Sequence, residues 1–573
     1  MAPLDPATVD LIIAGGTVVD GSGGSPLRAD VGVANGHIVF VDGDPKARHQ
    51  SKERIDATGL IVAPGFIDIH THYDAQVFWD PTCAPSSLYG VTTVFAGNCG
   101  FSIAPLQGDP EYLMRLLARV EGIPLPALHA GVPWGWHSFD DYLTTVADRG
   151  LGVNFGALAG HSTIRRAVLG ERSGTSDLRP GELDAMCELL AECLRGGAIG
   201  FSSSWAGTHV DGDGNPVPSR AASRQELLAL CGVLAGFPGT QVEFIPTNGP
   251  YEDEHVEMMT AMALAARSPL NWNILIPRSA SFTEGRLRST EHAAAQGATV
   301  VGLSYPDVIR GRVSFLSSGF DSLPGWAETM TLEPAEKLAA LKDPACRARL
   351  RSGARAAQSS GMATAHYEGM IVEETHHPLN DAARGRTVGA IAVETGRDPF
   401  DVLCDIVVGD ELRTGLVPPP SAVDAEAWAV RVKTWTDERV VLGASDAGAH
   451  LDMLSTFDYP ARLLALSRQF VELPIEQAVH QLTQVPARLY GLKDRGLVSP
   501  GQWADLVLFE AESVDAGPVS WRADLPAGSG RLYSEPVGIA SVLVNGREIV
   551  RSGSTTGELP GAVLRRGIDT ASD

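Results

Sequence analysis

PGFIDIHTHYD, residues 64–74, closes an apolar run on two histidines. Alternate side chains of a strand share a face, so His70 and His72 project together from the end of this one, where both imidazoles can reach one ion. The run LIVAPGFIDIH (60–70) is the first of eight. GVTTVFAGNC (90–99), VNFGALAG (153–160), GAIGFSSSW (197–205), TQVEFIPT (240–247), NWNILIP (271–277), ATVVGLSY (298–305) and VVLGASD (440–446) follow. Helical patterns fall between several of them. ELDAMCELLAECL (182–194) is one, and Ser223 with Glu226 supplies the residue types of a capping box before another. Eight strands alternating with helices predict an α/β fold, a parallel sheet closed as a TIM-type (β/α)8 barrel.

Both ends of the chain have a different texture. LIIAGGTVVDGSG (11–23), ADVGVANGHIVFVDG (29–43), GQWADLVLFEA (501–511) and IASVLVNGREIV (539–550) are short strand-like runs punctuated by turns. Asn35-Gly36 and Asn545-Gly546 are two-residue hairpin signals. The expected organisation is a small β-sandwich built from both termini (1–60 plus 487–560) around a barrel at 61–486. The polar, Arg-rich stretch at about 306–385 reads as an insertion or lid.

Lys and Arg total 45 against 69 Asp and Glu in 573 residues, a net charge of −24. That excludes nucleic acid and anionic membrane as expected partners, because phosphate neutralisation needs clustered cations. No apolar run approaches the ~18–20 residues of a membrane helix. MAPLDPATVD lacks the basic and apolar regions of a secretory signal, so a cytoplasmic location is expected. Seven cysteines, an odd number with no close spacing, read as reduced thiols. A small-molecule substrate is the expected partner, and a homo-oligomer is compatible with the composition.

Chemistry in such barrels sits at the carboxyl ends of the strands. Asp446 ends the last run, where it would hold a metal and take a proton from bound water, or else cap a helix. Cys99 ends the second run; its readings are a soft zinc ligand, a nucleophile or a buried inert residue.

PGFIDIHTHYD, GVTTVFAGNCGFSIAP, GHSTIR (160–165) and GASDAGAH together resemble the amidohydrolase superfamily, in its N-acyl-D-amino-acid deacylase (D-aminoacylase) branch. IIAGGTVVDGSG and GQWADLVLF look like that family's split β-sandwich. The resemblance covers most of the chain. It implies His70 and His72 as first-strand ligands, Cys99 as second-strand ligand, and Asp446 as last-strand ligand and proton shuttle. It also implies zinc, one ion with room for a second, and hydrolysis of the amide of an N-acyl-D-amino acid. The family places one histidine at the end of the fifth strand and one at the sixth, and TQVEFIPTN and NWNILIPRS contain none. Three outcomes follow: a single ion held by His70, His72 and Asp446 near Cys99; oxygen donors Glu243 or Asn273 in the vacated places; or loss of the metal. The family's substrate-carboxylate lysine is replaced by Leu275 or Ile276, so Arg278 is the nearest cation, and Tyr305 matches the family's strand-seven tyrosine. His161, His377 and His450 complete the expected substrate contacts, whereas His209 reads as a surface or packing residue. The expected function is amide hydrolysis by metal-activated hydroxide with Asp446 as base. The alternatives are a lactone or cyclic-amide hydrolase in the same barrel and a metal-free binding protein.

Overall fold

The computed structural model describes residues 8–44, 49–316, 320–321, 323–358, 363–420 and 422–571. Eight parallel strands form one sheet, numbered here β1 (Phe66–Asp68), β2 (Val91–Ala96), β3 (Asn154–Gly160), β4 (Gly200–Ser204), β5 (Gln241–Ile245), β6 (Leu270–Leu275), β7 (Val300–Ser304) and β8 (Val440–Leu442). Each pairs with its sequence neighbours. A parallel bridge between Thr71 and Ala447, with the His72 amide donating to the Ala447 carbonyl at 2.7 Å, joins the last strand to the first. The fold is thus the TIM-type barrel that the alternation predicts. Helices such as Glu182–Arg195, Arg224–Leu234 and Asp253–Ala266 cover the strands, which is why these read as continuous apolar runs rather than alternating ones. Ser223 Oγ accepts the Glu226 amide as an N-cap, but the Glu226 carboxylate is drawn instead to His161 and Arg165, so the capping box is only half formed.

The run at 60–70 makes two strands, not one. Ile61–Pro64 belongs to a nine-stranded mixed sheet drawn from both ends of the chain, pairing in parallel with Thr8–Val18 and antiparallel with Leu506–Phe509. The chain passes from that sheet into the barrel at Gly65, where a Cβ would lie 2.2 Å from the Thr92 side chain. The two hairpins form as predicted, with both central residues at positive φ (Asn35 51°, Gly36 79°; Asn545 48°, Gly546 77°). Their tips touch: a Cβ on Gly36 would meet the Asn545 carbonyl at 2.9 Å.

Asp505 ties sheet to barrel. Its carboxylate accepts from the Asn545 amide (2.8 Å) and Asn154 Nδ2 (3.1 Å) and pairs with Arg495, both partners of that ion pair being about 5% exposed or less. Removing one member leaves the other buried and uncompensated, which costs ~3–5 kcal/mol. Asp505→Ala is therefore expected to lower unfolding free energy by about that amount in urea titration, with little change in m. A loss below ~1 kcal/mol would contradict the junction role.

Between β7 and β8 the chain leaves the barrel and packs its own core. Phe315, Phe320, Trp326, Leu350, Tyr367, Phe400 and Leu416 belong to it, so this packing continues past residue 385. Two arginines of helix Pro344–Ala357 turn toward carboxylates, while Arg349 and Arg355 are exposed. Arg347 pairs with Asp405, and Arg351 with Asp398, at the helix Pro399–Gly409.

Candidate metal centre

The loops at the carboxyl ends of the strands line a cavity of about 840 Å³. His70 and His72 stand just beyond β1, almost fully buried. Their Nε2 atoms lie 3.5 and 3.8 Å from Cys99 Sγ, which the turn after β2 brings over them. Asp446 Oδ1, from the segment after β8, lies 3.1 Å from His72 Nε2 and 3.5 Å from His70 Nε2. His450 Nε2 stands 3.6 Å from the other carboxylate oxygen. Cys99 (φ 59°), Ala444 (φ 56°), Asp446 (φ 54°) and His450 (φ 47°) all occupy the left-handed region that side chains disfavour. Such strain persists where surrounding packing enforces it, and here four cases face one cavity.

The floor beside Cys99 comes from the fifth and sixth strands. Glu243 accepts the Cys99 amide at 2.7 Å and a short hydrogen bond from Asn273 Nδ2, which in turn lies 2.9 Å from His70 Nδ1. The two oxygen-bearing residues of the fifth and sixth strands thus stand against His70 and Cys99.

Two residues were not found by sequence reasoning. Glu121, at the end of helix Glu111–Val120, is 2% exposed and places Oε1 3.6 Å from His72 Nδ1. No motif marks it, because it reaches the centre from a helix end some twenty residues after Cys99. His209 lines the cavity, held by Ser204 Oγ at 2.9 Å and by the Phe101 ring, so its reading as a surface residue is corrected. Its position five residues beyond the end of β4 is the signal that could have placed it.

Burial pushes the Cys99 thiol well above its usual range, with the Glu243, Glu121 and Asp446 carboxylates adding to the effect. Burial likewise raises Glu121, and Glu243 to about 7. It pushes His209 down to about 3. Burial also opposes ionisation of Asp446, yet hydrogen bonds to His70 and His72 outweigh it and hold this carboxyl well below the carboxylate range.

Four acidic groups thus crowd one apolar-walled place, and among the described residues no Lys or Arg pairs with any of them. His70, His72 and Cys99 offer ligand atoms within 4.8 Å of one another, as do His72, Glu121 and Asp446. Imidazoles, a thiol and carboxylates are the donor types that hold zinc, and a cation would balance these acidic groups in their ionised forms. The residues fit a metal ion.

The other expected residues divide. Arg278 and His450 line the cavity. Arg278 is exposed, its guanidinium lies over the Phe282 ring at 5.2 Å, and among the described residues no carboxylate pairs with it. His161 does not reach the cavity: it is fully buried, with Nδ1 2.8 Å from Ser203 Oγ and Nε2 2.9 Å from Glu226. Tyr305 donates to Asp458 at 3.0 Å behind the cavity wall. His377 is exposed on the excursion, where its Nδ1 caps the Leu379 amide.

A profile of the amidohydrolase family matches residues 53–550. An uncharacterised protein of Mycobacterium tuberculosis is 30% identical over 539 residues, 89% of this chain and 85% of its own length. An N-acyl-D-aspartate deacylase of Alcaligenes xylosoxydans xylosoxydans is 29% identical over 98% of this chain and 96% of its own. Among solved structures, a D-aminoacylase described as having a binuclear metal centre superposes with a TM-score of 0.62 at 26% identity, over 97% of this chain and all of the other.

Proposed function

The chain belongs to the amidohydrolase family, and on that premise we propose that it is a metal-dependent hydrolase of the amide bond of N-acyl amino acids. The observation that carries this is the convergence of His70, His72, Cys99 and Asp446 at the floor of one cavity. His70, His72, Cys99 and Asp446 would hold zinc, whose chemistry there is to polarise the scissile carbonyl and make water acidic enough to ionise near neutral pH.

The chain's own groups do the rest. Asp446, ionised between His70 and His72, takes a proton from the attacking water and gives it to the amide nitrogen as the C–N bond breaks, leaving a free acid and an amine. His450 lies beside the same carboxylate and orients it. Apolar walls from Ile245, Ile274, Phe282, Ile309 and Leu454 shed water and suit an acyl chain. Arg278, a cation at the cavity with no carboxylate partner among the described residues, receives the substrate carboxylate. Arg286 does not serve there, because its guanidinium is used by the carbonyls of Asn248, Gly249 and Ile274. The seven cysteines are all free and no helix of the described residues is long and apolar enough to cross a membrane, which supports a reducing, cytoplasmic setting.

The test combines metal analysis with a substrate panel. The protein is expected to hold about one zinc per chain, to lose activity on chelation and to regain it with zinc. Among N-acyl-D-amino acids, their methyl esters, lactones and cyclic imides, the free N-acyl amino acids should turn over fastest. Ester substrates equal to the acids would remove Arg278 from recognition. A preference for lactones or imides would reassign the pocket, and protein that binds no metal would refute the hydrolytic reading.

A further inference from the structure

His72 presents a buried polar atom with no hydrogen-bond partner, and the Glu121 carboxyl group lies beside it. The Glu121 carboxylate comes from the end of helix Glu111–Val120, and its side chain is 3% exposed. Its closest ionisable partner is His72 Nδ1, 3.6 Å away. His72 Nδ1 is itself buried with no hydrogen-bond partner. The opposite nitrogen of the same ring, Nε2, faces Cys99 Sγ and Asp446 Oδ1.

The position of one proton decides what this ring can bind. A neutral imidazole carries its hydrogen on one nitrogen and a lone pair on the other. With the hydrogen on Nδ1, His72 becomes a donor directed at the Glu121 carboxyl group, and Nε2 is free to offer its lone pair to a cation beside the thiol and Asp446. With the hydrogen on Nε2, the ring donates to Asp446 instead and the ligand nitrogen is blocked. A cation at Nε2 displaces that hydrogen to Nδ1, where leaving it without an acceptor costs ~1–3 kcal/mol, so the Glu121 carboxylate is the acceptor the ring then needs.

We propose that Glu121 is the positioning residue of the metal centre, fixing His72 in the tautomer and ring orientation that make Nε2 a ligand. Glu121 is well placed for the task. Its backbone carbonyl accepts the amide of His450, so one residue braces both the His72 ring and the turn that carries His450 beside Asp446. The separation of 3.6 Å is longer than a direct hydrogen bond and lies within ion-pair range. A carboxylate behind a ligating histidine orients the ring and raises its basicity, and its loss typically costs ~10–100-fold in metal affinity.

The proposal rests on the metal-dependent reading above, and the experiment separates the two. Metal-free protein is titrated with Zn2+ against a chromophoric chelator, and with Co2+ while the thiolate-to-cobalt absorption is followed. Glu121→Ala is expected to weaken zinc binding ~10–100-fold while keeping the cobalt band positions, because the donor set is unchanged. Glu121→Gln, whose amide oxygen still accepts from Nδ1–H, should restore most of the affinity. Near-ultraviolet circular dichroism of the metal-free variants, expected to match wild type, separates lost positioning from misfolding. Wild-type affinity in Glu121→Ala would overturn the proposal. So would Gln as weak as Ala, or a cobalt spectrum showing one donor fewer, which would make Glu121 a ligand. Wild-type protein that takes up neither ion overturns the functional reading instead.

Discussion

Asp446→Asn is expected to lower kcat/KM for an N-acyl amino acid by about 100- to 10,000-fold, the range that a positioned proton-transfer group supplies. Asparagine is the informative replacement. It keeps the size of the side chain and tolerates the left-handed backbone that position 446 adopts at φ 54°, so the turn after β8 is retained. An amide cannot accept the proton of the attacking water, however, and its neutral oxygen is a poorer donor to a cation. Hydrogen bonds to two histidines hold the native carboxyl well below its ordinary range, so it is ionised throughout the neutral region. Steady-state kinetics beside metal analysis reads the result. A variant with more than a tenth of the wild-type rate would return Asp446 to a structural role as a turn or cap residue.

Cys99→Ser is the second large effect. Sγ lies between the two Nε2 atoms at 3.5 and 3.8 Å, and its backbone amide is fixed by Glu243, so serine would sit in the same place. What is lost is the thiolate, the soft donor of the set, in exchange for a hydroxyl that stays protonated. Bound zinc should fall from about one per chain to roughly a tenth of that. Activity without added metal should fall at least ~100-fold, a loss larger than that for a residue standing behind a ligand. Excess zinc is expected to recover part of it. A variant with wild-type metal content would mean that Cys99 is a packing residue, which its burial alone would equally allow.

Much of the molecule follows from local pattern. The eight runs become eight parallel strands because strands buried on both faces must be apolar throughout, a property visible without any contact information. The hairpins at Asn35-Gly36 and Asn545-Gly546 form because two successive positive φ angles suit few other residue pairs. His70 and His72 lie together just beyond β1, two residues apart, and Cys99 and Asp446 join them from the segments that follow β2 and β8 of the same barrel.

Three-dimensional packing decided the rest. The apolar run at 60–70 divides at Gly65 because Thr8–Val18 and Leu506–Phe509, the latter more than four hundred residues away, claim its first half for the other sheet. His161 has the sequence setting of a pocket residue, yet Glu226 and Ser203 claim both its nitrogens and draw it into the wall. His209 looks like one more loop histidine until the loop after β4 folds it over Phe101. Glu121 carries no signature of any kind. The sequence by itself determined the barrel, the both-ended sheet and the four residues at the strand ends, since each depends on period or position within one element. Only the tertiary structure decided which other groups face them, because burial beside a given atom depends on elements brought together across the whole chain.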